Sequence, residues 1–232
     1  MSGNGKRGDI LVVGGGISGL TAAIEAAEAG ANVTVVEKEA LLGGRVARTN
    51  LYFPKMCPPS CGLEINFRRV KTNPRIRTFT LSTVESITGG PGSYKATIVK
   101  SPRFVNSKCT TCGECVQVCP VDRPDDFNLG MGTTKAIYFP YEMAYPARFV
   151  IDESTCLGPD ECGKCVDACP YDAIDLTMAP EKEEIEVDAV IWATGWHPPD
   201  ASKFEGLGYG SLTNVVNNVT MERLSAVNGP TE

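Results

Sequence analysis

The stretch Asp9-Ile10-Leu11-Val12-Val13-Gly14-Gly15-Gly16-Ile17-Ser18-Gly19 decides the fold. Its first five residues form a short apolar run that stops at glycines, the pattern of a buried strand. Residues 18–30 carry Leu20, Ala23, Ile24 and Ala27 at helical spacing and stop at Gly30, which predicts a helix with one apolar face. Residues 32–37, NVTVVE, predict a second strand. Strand, helix and strand within about 30 residues make a βαβ unit, whose crossover sets the two strands parallel. Gly14, Gly16 and Gly19 stand in the order G-x-G-x-x-G between strand and helix, with Ser18 in the first helical turn. The first glycine permits the tight turn, the second lets backbone approach a pyrophosphate, and the third allows close helix–strand packing. Glu37 ends the second strand 18 residues after Gly19, placed to accept hydrogen bonds from an adenosine ribose, and Lys38 follows it. In this setting the glycines read as a dinucleotide site rather than as a merely structural turn.

After a Gly/Pro-rich stretch, residues 76–88 and 93–100 predict two strands joined by Gly89-Gly90-Pro91-Gly92 as a hairpin. Composition then changes. Residues 101–180 hold eight of the ten cysteines and eight of the sixteen prolines, with little sustained apolar periodicity. Such a segment cannot build a large apolar core and is better held by what its cysteines bind. From residue 181 a regular pattern returns, and Val190-Ile191-Trp192 predicts a buried strand ending at Ala193-Thr194-Gly195. The fold class is therefore α/β. Residues 1–100 and 181–232 form one nucleotide-binding domain, interrupted by a cysteine-rich insertion over 101–180, and the polar tail from 200 onward predicts no strong element.

The chain has 232 residues, enough for one or two domains, with 42% apolar and 22% charged residues. Its net charge is −6 with Lys and Arg scattered, which excludes a nucleic-acid binder driven by a basic footprint. No run of about 18 apolar residues occurs, so no membrane span is expected, and the polar N-terminal lead lacks the features of a secretory signal. The expectation is a cytoplasmic protein, with any membrane association arising through a partner. Ten cysteines in that setting point to metal ligation or redox chemistry rather than disulfides, while a single histidine excludes multi-histidine metal sites.

Cys109-x2-Cys112-x2-Cys115-x3-Cys119-Pro120 is the bacterial ferredoxin run, and Cys156-x5-Cys162-x2-Cys165-x3-Cys169-Pro170 repeats it with a longer first loop. Such spacing lets three thiolates converge on one cubane while the fourth cysteine of each run reaches the other cluster. One [4Fe-4S] cluster is then expected on Cys109, Cys112, Cys115 and Cys169, and a second on Cys156, Cys162, Cys165 and Cys119. Structural zinc is the competing reading, although zinc usually takes paired C-x2-C knuckles.

Cys57 and Cys61, in CPPSC, admit three readings: structural thiols beside a Pro-rich turn, extra cluster ligands completed elsewhere, or a redox-active pair. His197, in Trp196-His197-Pro198-Pro199, reads first as a hydrogen-bonded loop residue and second as a residue facing a flavin. Arg68, Arg69, Lys71, Arg75 and Arg77 read first as a solvated face and second as an anion-binding patch.

Leu42-Gly43-Gly44-Arg45 and Ala193-Thr194-Gly195 resemble segments of the glutathione reductase-like flavoproteins, in which the first βαβ unit binds FAD. The resemblance implies FAD contacts from Gly43, Gly44, Arg45, Ala193, Thr194 and Gly195, and an adenine contact near Val84. It also implies a glutathione reductase-like FAD-binding Rossmann domain carrying an inserted 2[4Fe-4S] ferredoxin-like (α+β) domain. The Gly-Asp element that ends the FAD domain of that class has no match after Gly195, so a shortened form or a site completed by a partner is expected.

In their order, GGGISG, LLGGRVA, CPPSCGLEINFRR, NPRI, SPRFVNSKCTTCGECVQVCPV, KAIYFP and CGKCVDACPYDAIDL through AVIWATGW resemble the A subunit of heterodisulfide reductase and its relatives. CPPSCGLEINF is similar to the A subunits of quinone-interacting membrane-bound oxidoreductases and of sulfur-metabolising heterodisulfide reductase-like complexes. The resemblance implies an FAD and iron–sulfur oxidoreductase subunit that relays electrons to partner subunits, with disulfide chemistry on a partner. Two other functions compete: a stand-alone NAD(P)H oxidoreductase resembling the glutamate synthase small subunit, and a scaffold whose clusters only stabilise a docking domain. No second G-x-G-x-x-G occurs, which speaks against the former.

Overall fold

A computed structural model of the chain describes residues 8–51 and 54–231. Strand β1 (Asp9–Val13), helix α1 (Ile17–Glu28) and strand β2 (Asn32–Val36) form the expected βαβ unit. β1 and β2 pair in parallel, Leu11 opposite Thr34. α1 ends as its sequence requires: the Gly30 amide donates to the Ala27 carbonyl and the Ala31 amide to the Ala26 carbonyl, with Gly30 at φ +101°.

Helix α2 (Ser60–Thr72) follows, in a stretch where no helix was expected. Its signal was present, since Leu63, Phe67 and Val70 recur at helical spacing and are the residues it buries. They pack with Leu20, Ile24, Leu41 and Leu42 in one apolar cluster.

The predicted single strand over 76–88 is two strands. β3 (Ile76–Phe79) joins the parallel sheet beside β2, and β4 (Ser82–Gly90) starts a second sheet. Between them Leu81 adopts φ +52°, donates its amide to the Glu39 carbonyl and accepts from the Ser101 amide. That turn carries the chain from one sheet to the other. β4 pairs antiparallel with β5 (Ser93–Lys100), with Pro91 and Gly92 at the tip.

The insertion has small elements: α3 (Glu114–Val118), the hairpin β6 (Asp122–Pro124) with β7 (Thr133–Lys135), and the pair β8 (Ile137–Tyr138) with β9 (Val150–Ile151). α4 (Gly158–Glu161) and α5 (Lys164–Asp167) complete it. A bridge from Val105 to Ile174 closes its two ends on each other. β10 (Glu181–Val187) then pairs antiparallel with β5, Glu181 opposite Lys100, and β11 (Ala189–Trp192) pairs in parallel with β1. The two sheets run β11-β1-β2-β3 and β10-β5-β4. Leu11 and Val36 of the first pack on Ala96, Ile98 and Val187 of the second.

The compositional boundary and the packing boundary do not coincide. Phe127 and Ala144, within 101–180, are buried in the cluster built by α1 and α2, with Phe139, Tyr141 and Tyr145 packed against it. In the tail, α6 (Asn218–Leu224) is capped by the Asn217 side chain, which accepts from the Thr220 amide. Buried Arg223 anchors α6 by donating to the Asn128 side chain at 2.9 Å and to the Asn228 carbonyl at 2.9 Å. Among the described residues no helix is long and apolar enough to cross a membrane.

Ile98 is fully buried where the two sheets meet. Ile98→Ala is expected to cost about 2–5 kcal/mol of stability, measured as a lowered denaturant midpoint at unchanged slope.

Candidate functional site

The three motif glycines do different work. A Cβ on Gly14 would stand 2.2 Å from the Ala193 carbonyl oxygen, and one on Gly19 would stand 1.9 Å from the Gly14 carbonyl oxygen. These two positions are closed by the chain itself. Gly16 has φ −72°, and a Cβ there would meet nothing nearer than the Gly44 Cα at 4.0 Å. Neither backbone conformation nor packing within the chain requires glycine at 16, so the space beside it is open to a ligand. The N-terminus of α1, which follows at once, has no side-chain cap and no acidic residue in its first turn, and Ser18 is exposed there. Its free amides favour an anion such as a pyrophosphate.

Gly43 and Gly44, both at positive φ, form the opposite wall, and the Gly43 amide donates to the Gly15 carbonyl at 2.8 Å. Glu37 is buried, and its carboxylate accepts from the amides of Gly15 at 2.7 Å and Glu39 at 2.9 Å. It thus ties the glycine loop to the end of β2, while each oxygen retains a second lone pair for a ribose hydroxyl. Lys38 is exposed beside Glu39. Val84 lies on β4, two residues beyond Ser82, whose amide donates to the Glu37 carbonyl. Its side chain packs with Leu11, Val36 and Ile98.

The late turn closes the cradle. The Ala193 amide donates to Val13, and Thr194 and Gly195 are exposed beyond it, Gly195 at φ +72°. The Arg45 guanidinium lies 4.2 Å from the centre of the Trp196 ring, joining the Gly43-Gly44 segment to this turn by a cation–π contact. His197 is exposed in the following loop.

In the insertion, Cys109, Cys112, Cys115 and Cys169 line one cavity, with Val105, Phe149 and Ile174 among its apolar walls. Cys119, Cys156, Cys162 and Cys165 line a second, with Ile137 and Ile151. Both hollows are partly open to solvent. The fourth cysteine of each run therefore stands with the three of the other. α3 and α5 each begin one residue before the third cysteine of a run and turn it inward, so Cys115 and Cys165 are buried. The longer first loop of the second run is a single helical turn, α4, with Pro159 in its first turn.

Among the described residues no three His, Cys, Asp or Glu side chains converge on one metal ion. Four thiols spaced around a cavity fit a group larger than an ion, which favours a cubane over zinc. Burial pushes the Cys115 thiol up to about 12 and the Cys165 thiol up to about 11, with neighbouring cysteines adding to both. The positive charge of iron is what permits thiolates there.

Cys57 is half-buried ahead of α2, and Cys61 is exposed in its first turn. Neither lines a cluster cavity. The basic patch is largely occupied. Arg69 bridges Glu25 and Glu28 of α1 at 3.0 and 2.7 Å, Arg77 pairs with Glu183 at 2.9 Å, and Arg75 reaches the Asn32 side chain. Arg103 is buried between the cradle and the insertion. Nothing in its local sequence singles it out, because a buried charge is visible only once the chain is folded.

Residues 9–67 match the FAD dependent oxidoreductase family, and residues 102–122 and 148–174 each match a 4Fe-4S binding domain. The chain is 41% identical over 227 residues to an iron–sulfur A subunit of the CoB–CoM heterodisulfide reductase of Methanopyrus kandleri, covering 96% of this chain and 33% of that protein. It is 38% identical to the A subunit of the ferredoxin:CoB-CoM heterodisulfide reductase of Methanosarcina mazei, covering 96% of this chain and 28% of the relative. With the A subunit of the H(2):CoB-CoM heterodisulfide,ferredoxin reductase of Methanothermobacter marburgensis the identity is 36%, over 96% of this chain and 33% of the other. The chain thus spans about a third of the length of these relatives.

Gly16→Ala and Gly19→Ala are expected to separate ligand space from packing. Gly19→Ala costs more than about 3 kcal/mol through overpacking, read by thermal unfolding. Gly16→Ala leaves the melting temperature of the flavin-free protein unchanged and weakens FAD binding about tenfold or more, read by flavin titration. The raised thiols give a second expectation. Folding holds protons on Cys115 and Cys165 that the unfolded chain releases sooner. The metal-free protein therefore loses stability as pH rises above the ordinary thiol range toward about 12, seen as a falling melting temperature in alkaline buffers.

Proposed function

Because the chain is homologous to the A subunits of heterodisulfide reductases along almost its whole length, we propose that it is the flavin and iron–sulfur electron-transfer part of such a protein. The observation that carries the reading is the presence, in one folded unit, of a dinucleotide cradle and two four-thiol cavities. When bound, FAD and two [4Fe-4S] clusters supply a carrier of electron pairs beside two one-electron carriers. The chain's own residues hold and separate them. The N-terminus of α1, Gly16 and the Gly43-Gly44 wall receive the pyrophosphate, and Glu37 receives the ribose. Cys109, Cys112, Cys115 and Cys169 ligate one cluster, and Cys156, Cys162, Cys165 and Cys119 the other. Arg45, Trp196, Thr194 and Gly195 border the open end of the cradle.

Residues 101–180 are the inserted ferredoxin-like domain, on either side of which residues 1–100 and 181–232 make the FAD domain. The partners are the other subunits of a heterodisulfide reductase-like or quinone-linked complex, and disulfide chemistry takes place on one of them. Cys57 and Cys61, standing apart from both cavities, are structural thiols beside the entry to α2.

Anaerobically purified protein is expected to contain about eight iron atoms and one FAD per chain. Its flavin and clusters are expected to be reduced by dithionite but not rapidly by NADH or NADPH. Rapid bleaching by either nicotinamide would overturn the relay reading in favour of a stand-alone oxidoreductase. Zinc in place of iron would remove the clusters altogether, and nearer twelve iron atoms would assign Cys57 and Cys61 to a third.

A further inference from the structure

Arg103 is only 8% exposed, yet every acceptor its guanidinium finds among the described residues is neutral. Nη2 donates to the Ala40 carbonyl and, at 2.8 Å, to the Thr80 hydroxyl. Nη1 reaches the Arg148 and Phe149 carbonyls at 3.4 and 3.5 Å. Buried charges in folded proteins are ordinarily paired, because removing an ion from water is expensive and neutral dipoles offset only part of the cost. The neighbouring charge of Arg148 makes matters worse. Burial first and Arg148 second push the guanidinium down to about 10, which still leaves it cationic at neutral pH.

The position of this cation suggests its missing anion. Val105, two residues along the chain, and Phe149, which accepts from Nη1, both line the cavity of Cys109, Cys112, Cys115 and Cys169. Phe104, the next residue in the chain, and Phe149 belong to the buried cluster against which Cys109 and Cys169 pack. On its other side, Ala40 leads through Leu41 and Leu42 to Gly43 and Gly44 of the nucleotide cradle. Arg103 therefore lies behind the lining of the first thiol cavity, between Phe149 of the insertion and Ala40 and Thr80 of the nucleotide-binding unit. The second cavity is lined by Lys164, which is exposed and so screened by water, as is Glu114 at the first. The buried Arg123, two residues from Val121 of the second cavity, is already paired with Asp126 and Asp152.

We propose that Arg103 is the buried counter-cation of the cluster on Cys109, Cys112, Cys115 and Cys169, and that it raises this cluster's reduction potential above that of its neighbour. The inference rests on the two-cluster reading. A four-iron cluster held by four thiolates is anionic, and reduction adds one further negative charge. A fixed cation in a low-dielectric wall stabilises the reduced form more than the oxidised one. One electron moves from reduced flavin to the cluster, and no bond to Arg103 forms or breaks. The cluster beside the cradle is then the better acceptor from the flavin.

The test is a redox titration of the iron- and flavin-loaded chain followed by electron paramagnetic resonance, with the first cluster assigned by the signal that Cys112→Ser removes. Arg103→Gln is expected to lower the reduction equilibrium of that cluster about tenfold, 59 mV for a one-electron couple, and to leave the other in place. Arg103→Lys, which keeps the charge but not the fork of donors, is expected to retain the wild-type potential within about twofold. Equal shifts at both clusters, no shift, or the same loss in Arg103→Lys as in Arg103→Gln would make Arg103 a structural clamp and overturn the proposal. If Arg103→Gln does not load, the wild type decides: Cys112→Ser must remove the signal of higher potential, and removal of the lower one overturns the proposal. An iron content well below about eight per wild-type chain would refute the two-cluster reading and the proposal together, before any Arg103 variant is made.

Discussion

The rest of the molecule depends on the pairing of β5 with β10. Lys100, the last residue before the insertion, stands opposite Glu181, the first residue after it. Eighty intervening residues leave and re-enter the sheet at one place, so the strand pairing of the nucleotide-binding unit is continuous across them. The Lys100 ammonium lies 3.2 Å from Glu181 and 3.0 Å from Glu183, pinning that junction. Exposed ion pairs contribute only about 0–1 kcal/mol each. Their effect here is on register, since a one-residue slip would reverse every side chain of β10 and expel Val187 from the core.

The insertion folds on a different principle. Its cluster of buried residues counts Cys115 and Cys165 among its members and has Cys109, Cys119, Cys156 and Cys169 packed against it. The thiols are thus core and ligand at once. Phe104, Val105, Ile137, Phe149 and Ile174 supply an apolar shell around the two hollows rather than a filled interior. Filling each hollow with a thiolate-bound group replaces missing contacts and removes the cost of burying thiols that would otherwise have to stay protonated. Stability and electron-transfer chemistry therefore draw on the same atoms.

What was legible in the sequence was whatever is local. The strand–glycine–helix transition at 9–19, Glu37 at the end of β2 and the exchange of fourth cysteines between the runs all follow from spacing, and the structure brings those residues together. What was hidden depends on distant parts of the chain. The break at Leu81 is set by its contacts to Glu39 and Ser101. The helix α2 was masked by the Pro-rich approach through Pro58 and Pro59, although its apolar residues carry the helical period. The packing of Phe127 and Ala144 onto the nucleotide-binding unit belongs to neither segment alone. Even the motif glycines were only partly readable, because spacing could not show that Gly14 and Gly19 serve the chain while Gly16 leaves room for something else.

Two of the three buried arginines show how a polar group can be structural in one place and electrostatic in another. Arg223, 1% exposed, is satisfied by Asn128, Asn228 and the Arg48 carbonyl and stacks over Phe127, away from both thiol cavities. It fastens α6 to the loop at 125–130, where Asn128 donates in turn to the Asp125 carboxylate at 2.8 Å, so an anion stands one hydrogen bond beyond it. Arg103 reaches its Nη1 partners at 3.4 and 3.5 Å, and it lies behind Val105 and Phe149, which line a cavity of four groups that become anionic on binding iron. Its hydrogen bonds alone do not offset the cost of burying a full charge. A cation kept there makes physical sense once the cavity beside it carries the opposite charge, and the wall that joins the nucleotide cradle to the insertion is where such a charge acts on both.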